Sequence, residues 1–343
     1  MDGTKGAPPK LSAVVLNYNG GEMVLDCLAS LAAQHPACDE IVCVDNGSSD
    51  GSAEAVESGF PTVRLVRLAA NQGFAGGMNR AIEQTAGEFV ALVNSDVVLE
   101  ADHLDRCVRA LEADGSLAGV TGKLLRPGQV EPPILDTTGH TVYRNRRAVD
   151  RGEREPDLGQ YDSDTRLFSL CGAAPVLRRS ALEDVRLDGE YFDEDFFAYF
   201  EDFDLCWRAQ LRGWGFAYVP RATGRHYRGG SGGKASTFIL SCNHRNRLLV
   251  MLRNDSPAAF LRHFPGIAYT ELRATLHMLN LRPAALVRAW TDFFRLLPRQ
   301  LNKRRRIQSG RQVGWRELEG WFEPYDYRLS AVFRRARQRA AVR

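Results

Sequence analysis

The sequence predicts an α/β fold in which a mainly parallel sheet is flanked by helices and followed by a C-terminal helical extension. Three observations predict it. Short apolar runs alternate with helical apolar periodicity through residues 11–94, these runs give way to Asn- or Asp-bearing turns, and beyond Ser236 the pattern turns helical and then strongly basic.

Leu11 to Leu16 is an apolar run that breaks at Asn17-Tyr18-Asn19-Gly20-Gly21, a buried strand entering a polar loop. Val24, Cys27, Leu28 and Leu31 follow at i, i+3, i+4 and i+7, one apolar face of a helix between Glu22 and Gln34. Ile41 to Val44 is the next strand, ended by Asp45-Asn46-Gly47-Ser48-Ser49-Asp50-Gly51. Val63 to Leu68 and Phe89 to Val93 are two more, separated by a Gly-rich turn and a helix near Met78 to Thr85. Parallel strands joined this way need right-handed crossovers, and ligands bind outside the strands' carboxyl ends. Asn17, Asp45, Asn71 and Asp96 are therefore expected on one rim. From Arg126 to Tyr161 the periodicity fades into Pro, Gly and charge, a long irregular or hairpin segment expected to cover the site. Phe168 to Arg228 returns to mixed apolar and acidic sequence. In the last region Leu286, Trp290, Phe293, Phe294 and Leu297 form an apolar stripe beside Arg288, Arg295 and Arg299.

The 343 residues are 44% hydrophobic and 25% charged, which excludes collagen-like, disordered and small disulfide-bonded classes. The seven cysteines are odd in number and scattered, with no CxxC pair, so reduced thiols are expected rather than disulfides or a zinc site. No apolar run approaches the ~18 residues of a spanning helix, and residues 1–10 lack the apolar core of an export signal. A cytoplasmic location follows as the expectation. The net charge of +3 hides an asymmetry: Arg288 to Arg343 holds 15 Lys and Arg against 5 Asp and Glu, leaving 30 against 37 before it.

Five stretches can carry chemistry. Asp45 with the Gly and Ser residues after it can accept from a base N–H or a ribose hydroxyl, although such a loop also arises where Asp50 or Ser52 simply caps a helix. Asn71-Gln72-Gly73-Phe74-Ala75-Gly76-Gly77-Met78-Asn79 opens a helix without GxGxxG spacing, either an anion-holding helix start or plain turn chemistry. Asn94-Ser95-Asp96 ends a strand with two oxygens on one side of the extended chain, which suits a hard cation or is a polar strand end. Glu201-Asp202 precedes Asp204 and Arg208, an i, i+4 pair, in an acidic and aromatic region that begins at Tyr191. A carboxylate at that helix start suits a general base, or else caps the helix. His226 stands before a basic Gly-rich loop, where it is a metal ligand or a packed residue.

Taken in order, these stretches from Leu11 to Asp255 resemble the inverting glycosyltransferases of family 2, with the Rossmann-like GT-A fold, and among them the bacterial rhamnosyltransferase-like enzymes of polysaccharide synthesis. The resemblance implies a GT-A catalytic domain over 11–255. Its half 11–125 would bind the nucleotide sugar and its half 126–255 would serve acceptor and catalysis, between an unstructured 1–10 and a basic amphipathic extension over 256–343. It implies donor-binding roles for Asn17, Asp45, Asn71, Asn79 and Ser95. Asn94-Ser95-Asp96 stands where the family has Asp-x-Asp, so Asp96, with Asn94 in place of the first acid, and His226 would hold Mg²⁺ or Mn²⁺. Asp202 would be the base beside Glu201, and Cys171-Gly172-Ala173 matches a segment lining the site. The implied reaction is one inverting displacement from a dTDP-, UDP- or GDP-linked sugar onto a hydroxyl of a saccharide or lipid-linked acceptor.

Two other readings stand beside it: a non-catalytic nucleotide-sugar-binding protein, suggested by Asn94, and a nucleotidyltransferase, disfavoured because Asn17 to Glu22 has no basic residue. The stripe and Lys303-Arg304-Arg305-Arg306 make 283–306 either an interfacial helix on an anionic membrane or a helix packed on the catalytic domain. Nucleic acid is not expected, since no stacking aromatics accompany the basic run.

Overall fold

The computed structural model describes residues 10–228 and 237–325. The expected unstructured N-terminus, the Gly-rich loop after Arg228 and the end of the extension lie outside the described residues.

The chain begins as a wound α/β unit: β1 (Leu11–Asn17), α1 (Met23–Ala32), β2 (Glu40–Asp45), α2 (Ser52–Gly59), β3 (Arg64–Arg67), α3 (Gly73–Glu83) and β4 (Phe89–Asn94). β5 (Val97–Leu99), α4 (His103–Ala113) and β6 (Leu117–Leu125) follow. The segment expected to be irregular holds β7 (Leu135–Thr137) and a hairpin of β8 (His140–Val142) with β9 (Ala148–Asp150). Next come β10 (Arg166–Leu167), β11 (Pro175–Arg178), α5 (Arg179–Asp184), a 3₁₀ turn (Glu194–Phe196), α6 (Glu201–Leu211) and β12 (Gly215–His226). Helices α7 (Thr237–Asn254), α8 (Pro257–Leu281), α9 (Pro283–Ser309) and α10 (Trp315–Glu319) close the described chain.

Among the described residues ten strands form one sheet, along the path β10-β12-β6-β11-β4-β1-β2-β3 with β5 on β12 and β7 on β6. Its first half is parallel as the alternation requires, β4-β1-β2-β3. The second half is mixed, because β11 enters antiparallel between β4 and β6. Register fixes the site: Asn17 lies opposite Asp45, Leu16 opposite Asn94, and His226 on β12 opposite Val97, the residue after Asp96. A side-chain period of two makes this pairing strict, since a slip of one residue would turn every core side chain outward.

Apolar clusters fill both faces of the sheet, with α1 and α4 on one and α3, α5 and α6 on the other. A third cluster joins α6 to the helical region, where Phe203, Trp207 and Leu211 pack with Leu249, Val250, Ile307 and Phe322. Helix α6 is thus buried on two sides, by Leu205, Cys206 and Ala209 toward the sheet and by its aromatic side toward α7 and α9. All seven cysteines are unpaired.

The basic run on α9 departs from a wholly solvated cluster. Lys303 is buried and its Nζ lies 2.7 Å from Asp193 Oδ1, while Arg304 donates to the Asp255 carbonyl at 2.8 Å. A helix lying on a protein body directs only part of its circumference to solvent, and here one turn of the run points inward. The expected pair Asp204–Arg208 is present at 2.8 Å.

Candidate active site

The rim at the ends of β1 and β2 is prearranged by side-chain hydrogen bonds. Asn17 Nδ2 donates to Asp45 Oδ1 (3.0 Å) and Ser52 Oγ (2.8 Å), and its Oδ1 accepts the Gly20 N–H. Asp45 Oδ2 accepts the Ser48 N–H at 3.2 Å. Asn17 is fully buried and Asp45 nearly so, which makes Asn17 a support that aims Asp45.

Asn71 Oδ1 accepts from Asn46 Nδ2 (3.1 Å) and from the Gly73 N–H (2.8 Å), so the β2 loop and the start of α3 are tied together. Asn46 carries no local sequence signal of a role. It also accepts the Gln72 N–H at 2.8 Å, and it is the residue that fastens the two loops. Gly73 has φ +75°, and a Cβ there would meet the Phe197 carbonyl at 2.4 Å, so only glycine lets this turn seat against the segment before α6. Asn79 departs from its expected donor contact. It is buried, its amide nitrogen donates to the Phe192 carbonyl (2.8 Å) and its oxygen accepts the Phe192 N–H (2.8 Å), so it anchors the 191–194 segment to α3.

Ser95 and Asp96 form the half-buried turn between β4 and β5. The β5–β12 pairing brings His226 beside it, with Nε2 3.3 Å from Asp96 Oδ1. His226 Nδ1 meets Asp136 Oδ2 at 2.8 Å, and Asp136, on β7, is fully buried and also accepts from Arg228 Nε at 2.6 Å. Burial would lower the imidazole, but the hydrogen bonds to Asp136 and Asp96 outweigh it and push His226 up to about 9. Burial likewise works against the Asp136 carboxylate, while His226 and Arg228 hold it below its ordinary range. The sequence reading missed Asp136, although a charged residue between Leu135 and Thr137 in an apolar strand is a visible signal.

The residues fit a hard cation. Asn94 Oδ1 is buried without a hydrogen-bond partner, on the strand that ends two residues before Asp96. An amide oxygen, a carboxylate and an imidazole held by a second carboxylate are donor types suited to a divalent ion.

The acidic pair opens α6. Asp202 Oδ2 accepts the Gly172 N–H (2.8 Å) and Oδ1 its neighbour's N–H from Phe203 (2.7 Å). Glu201 is buried, with Oε2 lacking a hydrogen-bond partner, and burial together with the adjacent Asp202 charge pushes its carboxyl well above the usual range. The pair therefore splits into a half-buried Asp202 held by backbone N–H groups and a buried Glu201 whose carboxyl is pushed upward. Phe74, Leu170 and Phe192 line the cleft beside Asp202.

The chain approaches Glu201 through left-handed conformations at Phe197 (φ 65°), Tyr199 (φ 73°) and Phe200 (φ 70°), which bulky residues adopt only under restraint. Asn246 on α7 supplies it, sharing its Nδ2 among the carbonyls of Phe196 (2.9 Å), Ala198 (2.9 Å) and Tyr199 (2.8 Å). Arg245 donates to the Asp195 (2.9 Å) and Phe196 (3.0 Å) carbonyls. Beneath the turn, Arg253 is fully buried between Asp193 and Asp204, and Lys303 and Gln300 of α9 complete the shell around Asp193. Sequence periodicity cannot reveal these residues, because they serve carbonyls and acids distant in the chain.

Near Asp202, His140, Asp150 and Cys171 place their ligand atoms within 4.8 Å of one another. Arg228 donates to Asp150 at 2.7 Å and already neutralises that carboxylate, so the trio reads as a polar wall of the cleft.

Comparisons with known proteins bear on the fold and the family. The chain is 28% identical over 276 residues to an N-acetylglucosaminyl-diphospho-decaprenol L-rhamnosyltransferase of Mycobacterium tuberculosis, spanning 72% of this chain and 85% of the relative. In fold it is similar to GalNAc-T7 solved with UDP, GalNAc and Mn²⁺ only in part: TM-score 0.58, 14% identity, 73% of this chain and 48% of that one, about half its length. It matches the mannosyltransferase PcManGT of Pyrobaculum calidifontis, solved with GDP-Man and Mn²⁺, over 89% of this chain and 86% of that one, at TM-score 0.53 and 18% identity. These likenesses show the GT-A fold. The model of glycosyl transferase family 2 matches residues 12–186, and with the strand-end rim, the Asp96–His226 pair and the Asp202 helix start in place, the chain belongs to that family and is a glycosyltransferase.

Proposed function

We propose that the chain is a metal-dependent inverting transferase that moves a rhamnose-like or hexose unit from a nucleoside diphosphate to a hydroxyl of a saccharide or lipid-linked acceptor in cell-surface polysaccharide synthesis. The observation that carries it is the split acidic pair. Asp202 is held by two backbone N–H groups at the cleft, whereas Glu201 is buried and its carboxyl is pushed well above the usual range. A single base supports one displacement with inversion, while a double displacement needs a second ionised carboxylate as nucleophile.

Asp96 and His226, with Asn94 beside them, would hold Mg²⁺ or Mn²⁺, which when bound stabilises the departing diphosphate. Asp136 orients His226 for this role through Nδ1, and binding must release the imidazolium proton. Asp45, aimed by Asn17, and the Asn71 turn would take the nucleoside. Asp202 Oδ would receive the acceptor hydroxyl's proton, and the apolar side chains of Phe74, Leu170 and Phe192 keep water from competing. The lipid-linked acceptor reading draws on the named substrate of the mycobacterial relative. Seven unpaired cysteines suit a reducing compartment, so the reading puts the reaction on the cytoplasmic side.

The test is a panel of dTDP-, UDP- and GDP-sugars with Mg²⁺ or Mn²⁺, followed by NMR of the product's anomeric centre. Inversion with turnover lost in Asp202→Asn supports the reading, and a retained configuration overturns the mechanism. Asn94 favours a second reading, nucleotide-sugar binding without transfer. Metal-dependent donor binding with no turnover on any acceptor would select it.

A further inference from the structure

Helix α8 presents an apolar stripe that nothing in the chain covers among the described residues. Leu261, Phe264, Leu272, Leu276 and Leu279 are each 50–70% exposed and fall within about a third of the helix circumference. The stripe runs about 27 Å along the helix. Helix α9 continues the same chemistry with Val287 and Phe294, also more than half exposed.

The charges carried by the two helices are mostly of one sign. Residues 257–309 contain 10 Lys and Arg against 2 Asp and Glu. The two acids, Glu271 and Asp292, are largely covered and paired, with Arg247 and with Arg288 and Arg295. Arg262, Arg288, Arg295 and Arg299 lie beside the apolar arcs and are all more than half exposed. Among the described residues no helix is long and apolar enough to cross a membrane.

We infer that helices α8 and α9 lie on an anionic lipid surface, with the α8 stripe in the acyl boundary and the flanking arginines at headgroup level. Apolar side chains of this exposure find their partner in hydrocarbon, and arginine stems reach outward to phosphate. A second copy of the chain is a poorer occupant, because two arginine rims would face one another while the carboxylates paired with them, Glu190, Asp195, Asp292 and Glu319, are largely covered by their own chain. The surface differs from the basic run 303–306, whose Lys303 and Arg304 turn inward. This inference deepens the lipid-linked acceptor reading, on which its biological purpose rests.

The full chain is floated with vesicles of phosphatidylcholine alone and with equal parts phosphatidylglycerol. Wild type is expected to float with the anionic vesicles and to lose binding at high salt, with about fivefold weaker binding for each of Arg288→Ala and Arg295→Ala. Leu272→Asp combined with Leu276→Asp is expected to abolish flotation while donor hydrolysis in solution stays unchanged. Wild type that fails to float, or a double variant that floats as well as wild type, overturns the inference. So does sedimentation showing a wild-type dimer that the same double variant dissociates. Flotation failing while sugar transfer persists removes only this surface; absent transfer with flotation intact removes the enzymatic reading instead.

Discussion

Gly172 donates its backbone N–H to Asp202 Oδ2 at 2.8 Å, and the next carbonyl, that of Ala173, accepts the Asn94 N–H at 2.9 Å. Two consecutive residues thus join Asp202, the proposed base, to the strand end that leads into the proposed cation site at Asp96. A Cβ on Gly172 would stand 3.2 Å from Asp202 Oδ2 and 3.4 Å from its Cβ, so the carboxylate must shift to admit it.

Gly172→Ala should therefore lower kcat by up to about 10-fold, since the carboxylate has to give by a few tenths of an ångström, short of the ~1 Å displacement that costs about 100-fold. The donor KM should stay within about twofold, because the added methyl presses on Asp202 and not on the Asn17–Asp45 hydrogen bond. Steady-state kinetics separate the two parameters, and an equal change in both would argue against the link.

Asp136→Asn keeps a hydrogen-bonding oxygen near His226 but removes the charge that fixes the ring. Divalent-ion affinity should fall about 10- to 100-fold, as for other carboxylate supports of metal-binding histidines. Titration with Mn²⁺ followed by EPR measures it without recourse to turnover. Unchanged affinity would show that Asp136 serves only to neutralise Arg228.

The rim was legible because β1, β2 and β4 are continuous apolar runs with polar ends, and parallel pairing then forces Asn17, Asp45 and Asn94 into neighbouring positions. His226 beside Asp96 was reachable only through family resemblance, since a strand pairing that joins residues so far apart leaves no mark on local periodicity. Asp136 is 90 residues from His226 in the chain, and a lone acid in a three-residue strand does not name its partner. Asn79 misled for a related reason: a polar residue on a glycine-rich helix reads as a ligand contact until the segment that covers it is known. The same holds for α9, where helical spacing shows an apolar stripe but not which neighbouring turn faces the body.

Asn246 holds three carbonyls of the left-handed turn before Glu201. Asn246→Ala should destabilise the protein by about 1–3 kcal/mol through unpaired carbonyls. It should also reduce kcat more than donor KM, because the turn aims Asp202. Asn246→Asp, which sets a carboxylate against those carbonyls, should be worse on both counts. A purely structural role would leave the kcat of the folded fraction at the wild-type value.

Removing Arg253 strands Asp193 and Asp204 without their buried cation. Arg253→Met should cost about 3–5 kcal/mol in urea unfolding. Arg299→Ala, which breaks an exposed pair with Glu190 and Asp195, should cost less than about 1 kcal/mol. Comparable losses in the two variants would contradict a buried lock between α7 and the 193–204 segment.

Glu201 couples the acidic pair to stability. Burial and the neighbouring Asp202 raise its carboxyl in the folded protein, so the native state keeps a proton that the unfolded chain releases above about pH 4.3. Stability attributable to this group is therefore fully present below that pH and declines as pH rises toward the folded value, by about 1.4 kcal/mol per pH unit. Glu201→Gln removes the titrating group while keeping its shape, so the variant should gain on wild type progressively from pH 5 to pH 8 and match it near pH 4. Urea midpoints across that range measure the slope, and parallel slopes would mean that Glu201 is ionised in the fold. Because Asp202 rather than Glu201 faces the cleft, Glu201→Gln should keep within about tenfold of wild-type kcat, whereas Asp202→Asn should lose the 10²- to 10⁴-fold expected of an absent general base.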